Sequence, residues 1–355
     1  MTASSSAAQA QSFIKKIPFS TAAVGSLYIT LLIVGVFTGF NLNVLLSDSL
    51  MLFGLWALLV LAMVPSIQSG TGPNFALPIG VTSGLLAMVI VANFDFIGWS
   101  FILLSALLAI VFGIITGYLY GRLMNAVKGS EMAIAPYTGF AITFLFGIIW
   151  LVIPIFHPNM IFFLGGGLRH FIALAEWDAA SIISNLLTFD IFGVTIRTGE
   201  KLIIAIACLG MWLFFRTKTG IAISAVGSNP MFAKSTGINV DKMRIIANIL
   251  SNVIAALGII VYANGFNFIQ LYDAPLMMAF PAVAAVLVGG ASARRANVGN
   301  VLLGAFIFQG LMAISLPVLS NVLPAHEIIN PVRMGLQNGI ILYALTQMSA
   351  RGGGK

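Results

Sequence analysis

The chain has 355 residues, 59% of them hydrophobic and only 8% charged, with a mean hydropathy of +1.04. Soluble domains carry about 25% charged residues, so this composition excludes a soluble globular protein and reads as an all-α polytopic membrane protein. The formal net charge of +7 suits a membrane topology better than nucleic-acid binding, and one cysteine, Cys208, cannot build a disulfide framework or a cysteine metal site.

Residues 1–16 read as a cytoplasmic tail, polar at first and ending in Lys15 and Lys16. The apolar run 21–40 that follows exceeds the roughly 7–15 residues of a signal-peptide core, so it is expected to stay as span 1. A crossing needs about 20 apolar residues. On that rule the remaining spans fall near 48–66, 76–94, 97–121, 133–155, 200–215, 244–264, 275–292, 297–319 and 333–349, ten in all. The single membrane domain is thus 17–350, with 351–355 a second cytoplasmic tail.

Charge distribution orients these spans. With both termini in the cytoplasm, only Arg169, Arg197, Lys201 and Arg333 of the 17 basic residues lie outside, while only Glu131 and Asp241 of the ten acidic residues lie inside. One span more or fewer spoils this sorting from that point onward.

The largest outer segment is 156–199. Within it, a helical spacing would put Phe171, Ala175, Ala179, Ile182 and Leu186 on one face, as in a helix lying along the outer interface with Trp177 as its aromatic anchor. Segment 216–244 is the polar island of the inner side, holding Arg216, Lys218, Lys234, Asp241, Lys242 and Arg244. Asn229 followed by Pro230 spells a helix start, and Gly237 a stop, which predicts one short helix over about 231–236. Its spacing alone fits a docking surface and a solvated connection equally.

Gly113, Gly117 and Gly121 repeat every four residues and predict a close helix–helix approach. The stretch SGTGPNFALPIG at 69–80 predicts a break in a membrane segment, which survives only when protein or a water-filled cavity surrounds it. Asn74 and Phe75 there, with Asn248, Asn252 and Gln309 inside spans, are the candidate lining of a solute path. Each amide taken alone favours a structural bond between helices. No span interior presents an ion pair or acidic dyad of the kind that ion-coupled carriers use. His157, His170 and His326 form no metal-ligand spacing. The terminal GGGK lacks the spacing of a phosphate loop, so this chain is expected to bind no nucleotide or other cofactor itself.

The sequence from Thr217 to Val240 resembles the signature loop of the permease family of bacterial ATP-binding-cassette importers for ribose-type sugars and branched-chain amino acids. That loop reads T-x-x-G-x-x-x-x-A-x-G-x-N-x-x-A-A-x-x-x-G-I-x-V. Thr217, Gly220, Ala225, Gly227, Asn229, Ala233, Gly237, Ile238 and Val240 stand at matching places, with Phe232 replacing the first alanine of the pair. The stretch 280–311 resembles the family's alanine-rich span, glycine pair and next glycine-rich span, and the similarity runs from Ser47 to the C-terminus.

This resemblance implies two permease subunits, the same or related chains, forming the path in the inner membrane. Beneath them would sit two cytoplasmic ATPase subunits carrying ATP and Mg, and a periplasmic binding protein would deliver the solute. It also implies that Ser228, Asn229, Pro230, Met231, Phe232, Ala233, Lys234 and Gly237 form the coupling helix against the ATPase. After the glycine pair this chain departs from the family's small, glycine-rich turn with Arg294 and Arg295, a pair that anchors topology or adds a further ATPase contact. A carboxylate at position 233 is expected to be pressed into the ATPase groove and to uncouple the protein. The sugar branch carries an aspartate-containing G-G-I-D-L-S-V-G segment where this chain has SGTGPNFALPIG, which leaves the solute open. A sugar or similar small polar solute is the first reading; a nucleoside, a sugar-derived signal or an amino acid is the second, and an ion-coupled secondary carrier is the reading from another class.

Overall fold

The computed structural model describes residues 18–155, 157–162, 166–322 and 326–352; of the tails, 1–16 and 353–355 lie outside the described residues. The chain is mostly helical. Its helices are α1 (Phe19–Phe37), α2 (Leu42–Leu61), α3 (Met63–Gln68), α4 (Leu77–Asn93), α5 (Gly98–Ala126), α6 (Glu131–Val152), α7 (Thr198–Phe214), α8 (Lys218–Ser228), α9 (Pro230–Ser235), α10 (Val240–Phe266), α11 (Ala274–Val288), α12 (Val298–Val322) and α13 (Ile329–Gly352).

Six of these are long and apolar enough to cross a membrane when α2 and α3 are taken as one helix: α1, α2–α3, α5, α6, α10 and α12. The pair α7 and α8, bent by 76° at the break between them, makes a seventh if counted as one span. Helices α4 and α11 are apolar but only 17 and 15 residues long, below the ~20 that a straight crossing needs. Nearly all their residues are buried among other helices, so their length need not match a lipid thickness.

Helix α10 is the centre of the bundle. The glycine stripe of α5 faces it: a Cβ at Gly113, Gly117 or Gly121 would sit 3.0, 2.7 or 2.9 Å from the Cα of Val253, Ile249 or Ile245. Two antiparallel helices therefore touch backbone to backbone at every fourth residue, as the sequence stripe predicts. Gly80 and Gly84 of α4 press in the same way on Asn252 and Ala256.

Between α3 and α4, residues 69–76 are irregular, and of these only Gly70 is exposed. Gly70 and Gly72 take φ of +79° and +84°, which a side chain would strain. This is the predicted break, and protein encloses it.

The outer segment departs from expectation. Instead of an interfacial helix, residues 171–186 form strand β1 (Phe171–Ala173), a single 3-10 turn (Leu174–Trp177) and then turns. Strand β1 pairs antiparallel with β4 (Phe268–Gln270), and β2 (Thr188–Ile191) with β3 (Val194–Arg197). Asp178, Ser181 and Leu187 all have positive φ, which no helix allows. The backbone is held by α10 instead: Asn264 Nδ2 donates to the Ala179 carbonyl at 2.6 Å, and its Oδ1 accepts the Ile183 N–H at 3.0 Å. Trp177 is buried, donating to the Ala92 carbonyl at 2.9 Å and packing beside Phe101, so it is no interfacial anchor.

Candidate functional site: the inner loop and the broken segment

Each end of α9 is fixed by its own sequence. Asn229 Oδ1 accepts the Phe232 N–H at 3.0 Å, and Pro230 fills the first helical position, where no N–H is missed. At the other end Gly237 has φ +82°, its N–H donates to the Lys234 carbonyl, and the Ile238 N–H donates to the Ala233 carbonyl. That pair of bonds is a Schellman closure, in which glycine takes the left-handed position. The helix before it, α8, is capped by Thr217 Oγ1, which accepts the Gly220 N–H at 3.2 Å.

The faces of α9 are unequal. Met231 and Phe232 are 80% and 62% exposed, and Ser228, Asn229, Pro230 and Lys234 are also exposed. Ala233 is fully buried against its own chain. The expectation that Ala233 faces a partner groove is thereby corrected: of the six residues of α9 it alone packs inward, where its small side chain lets the helix lie close on its own chain, while Met231 and Phe232 are the large apolar groups left outside.

Helix α8 rests directly on the broken segment. A Cβ on Gly227 would overlap the Gln68 carbonyl oxygen, and one on Gly70 would lie 3.1 Å from the Gly227 Cα. Beside α9 opens a cavity of about 760 Å³, lined among others by Gly70, Lys128, Lys234, Arg244 and Arg294. A second hollow, lined by Gln68, Ser228 and Arg295, shares Ser228 with the first. Arg294 and Arg295 are exposed, and the structure thus brings both to the same face as α9.

Ion pairs staple this face. Lys128 bonds Asp241, and Arg244 bonds Glu131, whose other oxygen accepts the Gly129 N–H at 2.8 Å. The turn between α5 and α6 is thereby joined to the start of α10. At the start of α7, Glu200 is fully buried, accepts the Ser184 hydroxyl and lies 3.5 Å from Lys201 Nζ. Arg244 and Glu200 stand near the starts of α10 and α7, so both ion pairs lie at helix ends rather than in helix interiors.

The candidate path residues are held by separate partners. Asn74 Nδ2 donates to Ser251 Oγ at 2.8 Å, and Ser251 donates to the Ala62 carbonyl at 2.6 Å, joining the break to α10 and to the end of α2. Phe75 packs on Phe280 of α11, ring centres 5.7 Å apart. Asn248 and Asn252 are fully buried, and each donates to the carbonyl four residues earlier. Gln309 is buried in α12. Among the described residues, Asn74 Oδ1, Asn248 Oδ1, Asn252 Oδ1 and Gln309 Nε2 have no hydrogen-bond partner. Ser251 was not among the candidates; its place one residue before Asn252 on α10, toward the break, was its only signal.

Residues 45–345 match the family described as branched-chain amino acid transport system / permease component. The guanosine ABC transporter permease protein NupQ of Bacillus subtilis is 31% identical over 171 residues, covering 48% of this chain and 50% of that protein. The nucleoside ABC transporter permease protein NupB of Lactococcus lactis is 28% identical over 52% of each. The autoinducer 2 import system permease protein LsrC of Photorhabdus laumondii is 26% identical over 276 residues, covering 74% of this chain and 73% of that one. The chain thus spans about half the length of the first two of these relatives. With its glycine-packed bundle of apolar helices and a family match over most of its length, this multi-pass membrane protein belongs to the branched-chain amino acid transport system permease family.

Proposed function

We propose that this chain is the permease subunit of an ATP-binding-cassette importer in the bacterial inner membrane. In this reading it crosses the membrane ten times within residues 17–350, with both termini and segment 216–244 in the cytoplasm and 156–199 in the periplasm. A second permease, the same or a related chain, completes the path. Cytoplasmic ATPase subunits supply ATP and Mg, and a periplasmic protein delivers the solute.

The observation that carries the reading is the outward display of Met231 and Phe232 on a helix closed at both ends. Exposed large apolar side chains on a rigid helix suit a protein groove. Contact of α8 with the broken segment gives such docking a mechanical use. A push on α9 reaches Gly227, then Gly70, and through Asn74 reaches Ser251 on α10.

Gentle detergent isolation of the chain from its native membrane is expected to recover an ATPase, with one permease species or two. Phe232→Asp is expected to keep the protein in the membrane and lose the ATPase. Repeated recovery of a monodisperse single chain would overturn the reading. The buried Glu200 favours the ion-coupled carrier, and collapse of ion gradients with ATP intact separates the two, since uptake then stops only in the carrier.

A sugar or similar small polar solute is the proposed cargo. The guanosine and nucleoside names of two relatives favour a nucleoside as the second reading. Uptake assays with labelled ribose and labelled guanosine distinguish them.

A further inference from the structure

The β2–β3 hairpin belongs to neither the inner loop nor the broken segment. Its register sets Phe189 opposite Ile196 and Ile191 opposite Val194. Side chains alternate across a strand, so these four apolar residues share one face and Thr188, Asp190, Thr195 and Arg197 share the other. Phe189 and Ile191 are 53% and 51% exposed, and Phe192 at the turn is 96% exposed, with Leu186 and Leu187 exposed beside them. An apolar face this open, backed by a wholly polar one, calls for two different environments.

The fastening of the hairpin fixes its depth. Asn43 Nδ2 donates to the Phe192 carbonyl at 3.0 Å, and Ser47 Oγ accepts the Thr195 N–H at 3.0 Å, both from the first turns of α2. Just below, Glu200 meets α2 at Gly54, where a Cβ would overlap its carboxylate. Glu200 stands fourteen residues before Phe214, and Gly54 fourteen residues before Gln68. Both helices therefore put this level about 21 Å from their inner ends, at 1.5 Å per residue. Those inner ends are marked by the bend into α8 and by Arg216, whose guanidinium lies 3.6 Å from the Trp212 ring centre. Asn43 stands about 37 Å from the same end on this rise. A hydrocarbon core is about 30 Å thick, so the hairpin straddles its far boundary. Strand β2 also packs beside α7, whose Leu202, Ile206, Leu209 and Leu213 form an exposed apolar stripe along one side of that helix.

We propose that the hairpin is a membrane anchor, with Phe189, Ile191 and Phe192 set in lipid at the acyl–headgroup boundary and Asp190 turned to water. The occupant of this face is lipid, because its depth matches the boundary and the hairpin is fastened to α2 and packed beside α7, a helix with its own exposed apolar stripe. That the leaflet is the outer one rests on the orientation proposed above; the depth does not.

The sole cysteine makes the test clean. In a Cys208→Ser background, single cysteines at 189, 190, 191 and 192 are spin-labelled in phosphatidylethanolamine–phosphatidylglycerol vesicles. Electron paramagnetic resonance then compares access of oxygen with access of a polar nickel chelate. Oxygen is expected to dominate at 189, 191 and 192, and nickel at 190, so the preference inverts on either side of residue 190. Nickel access at all four positions would place the hairpin in water and overturn the proposal. Low access of both probes at 189, 191 and 192 would mean that a protein, a second copy or another chain, covers the face, and overturns it equally. The unsubstituted chain provides an independent check, since a photoreactive acyl-chain lipid is expected to label residues 186–197, and absence of that label counts against the anchor. Neither readout depends on recovery of an ATPase, so failure here and failure of the importer reading are distinguishable.

Discussion

The inner loop 216–244 and the outer segment 157–199 are both polar interruptions of an apolar chain, yet they are held in opposite ways. In the inner loop every helix end is closed by a residue within a few positions: Thr217 on Gly220, Asn229 on Phe232, Gly237 on Lys234, Asn239 on Lys242. The outer segment closes on residues about eighty positions away, such as Ala92, Asn264 and Asn267. Local closure yields a rigid projection that can be displaced as a unit, which suits a lever. Distant closure yields a cap welded to the helix ends beneath it.

Four substitutions sharpen or break that contrast. The largest effect is expected in the outer segment. Asn264→Ala removes the partners of both Ala179 and Ile183 and leaves buried backbone groups unpaired, costing about 3 kcal/mol. Its signature is a lowered unfolding temperature together with new proteolytic cleavage between 178 and 187, and a variant as stable as the parent would refute distant closure. Next, Gly227→Ala is expected to cost about 2 kcal/mol, because the new Cβ meets the Gln68 backbone, which cannot swing away. Solute-stimulated ATP hydrolysis in the reconstituted complex should fall along with stability, and full stimulation would show that α8 does not drive the broken segment.

Smaller again is Asn229→Ala. Loss of one cap costs about 1 kcal/mol, here confined to α9, so amide exchange is expected to rise at 231–235 and nowhere else, with Asn229→Ser restoring protection. Exchange spreading into α10 would argue that the loop is not locally closed. The smallest change in stability belongs to Phe232→Ala, an exposed position where shifts stay within about 0.5 kcal/mol. ATPase recovery should nevertheless drop, and an unchanged yield would remove Phe232 from the docking surface.

How far the sequence reached follows the same division. The short helix, its cap and its stop were legible because Asn, Pro and Gly act through their own backbone. So was the glycine stripe, although its partner on α10 was not. The outer helix was misread because an apolar spacing of three and four residues also fits strand and turns once other helices take up the backbone groups. Ala233 was placed on the wrong side of α9, since a six-residue helix carries too short a pattern to reveal which face packs inward.

Membrane class and the closed ends of α9 were thus determined by the sequence alone, the one resting on composition and the other on contacts within five residues. Tertiary structure alone decided the burial of Glu200 and Arg244, the weld of Gly227 to Gly70, the chain Asn74–Ser251–Ala62 and the two-faced hairpin. In those places a group removed from water finds its partner wherever the fold brings one within reach, and no local spacing records which partner that will be.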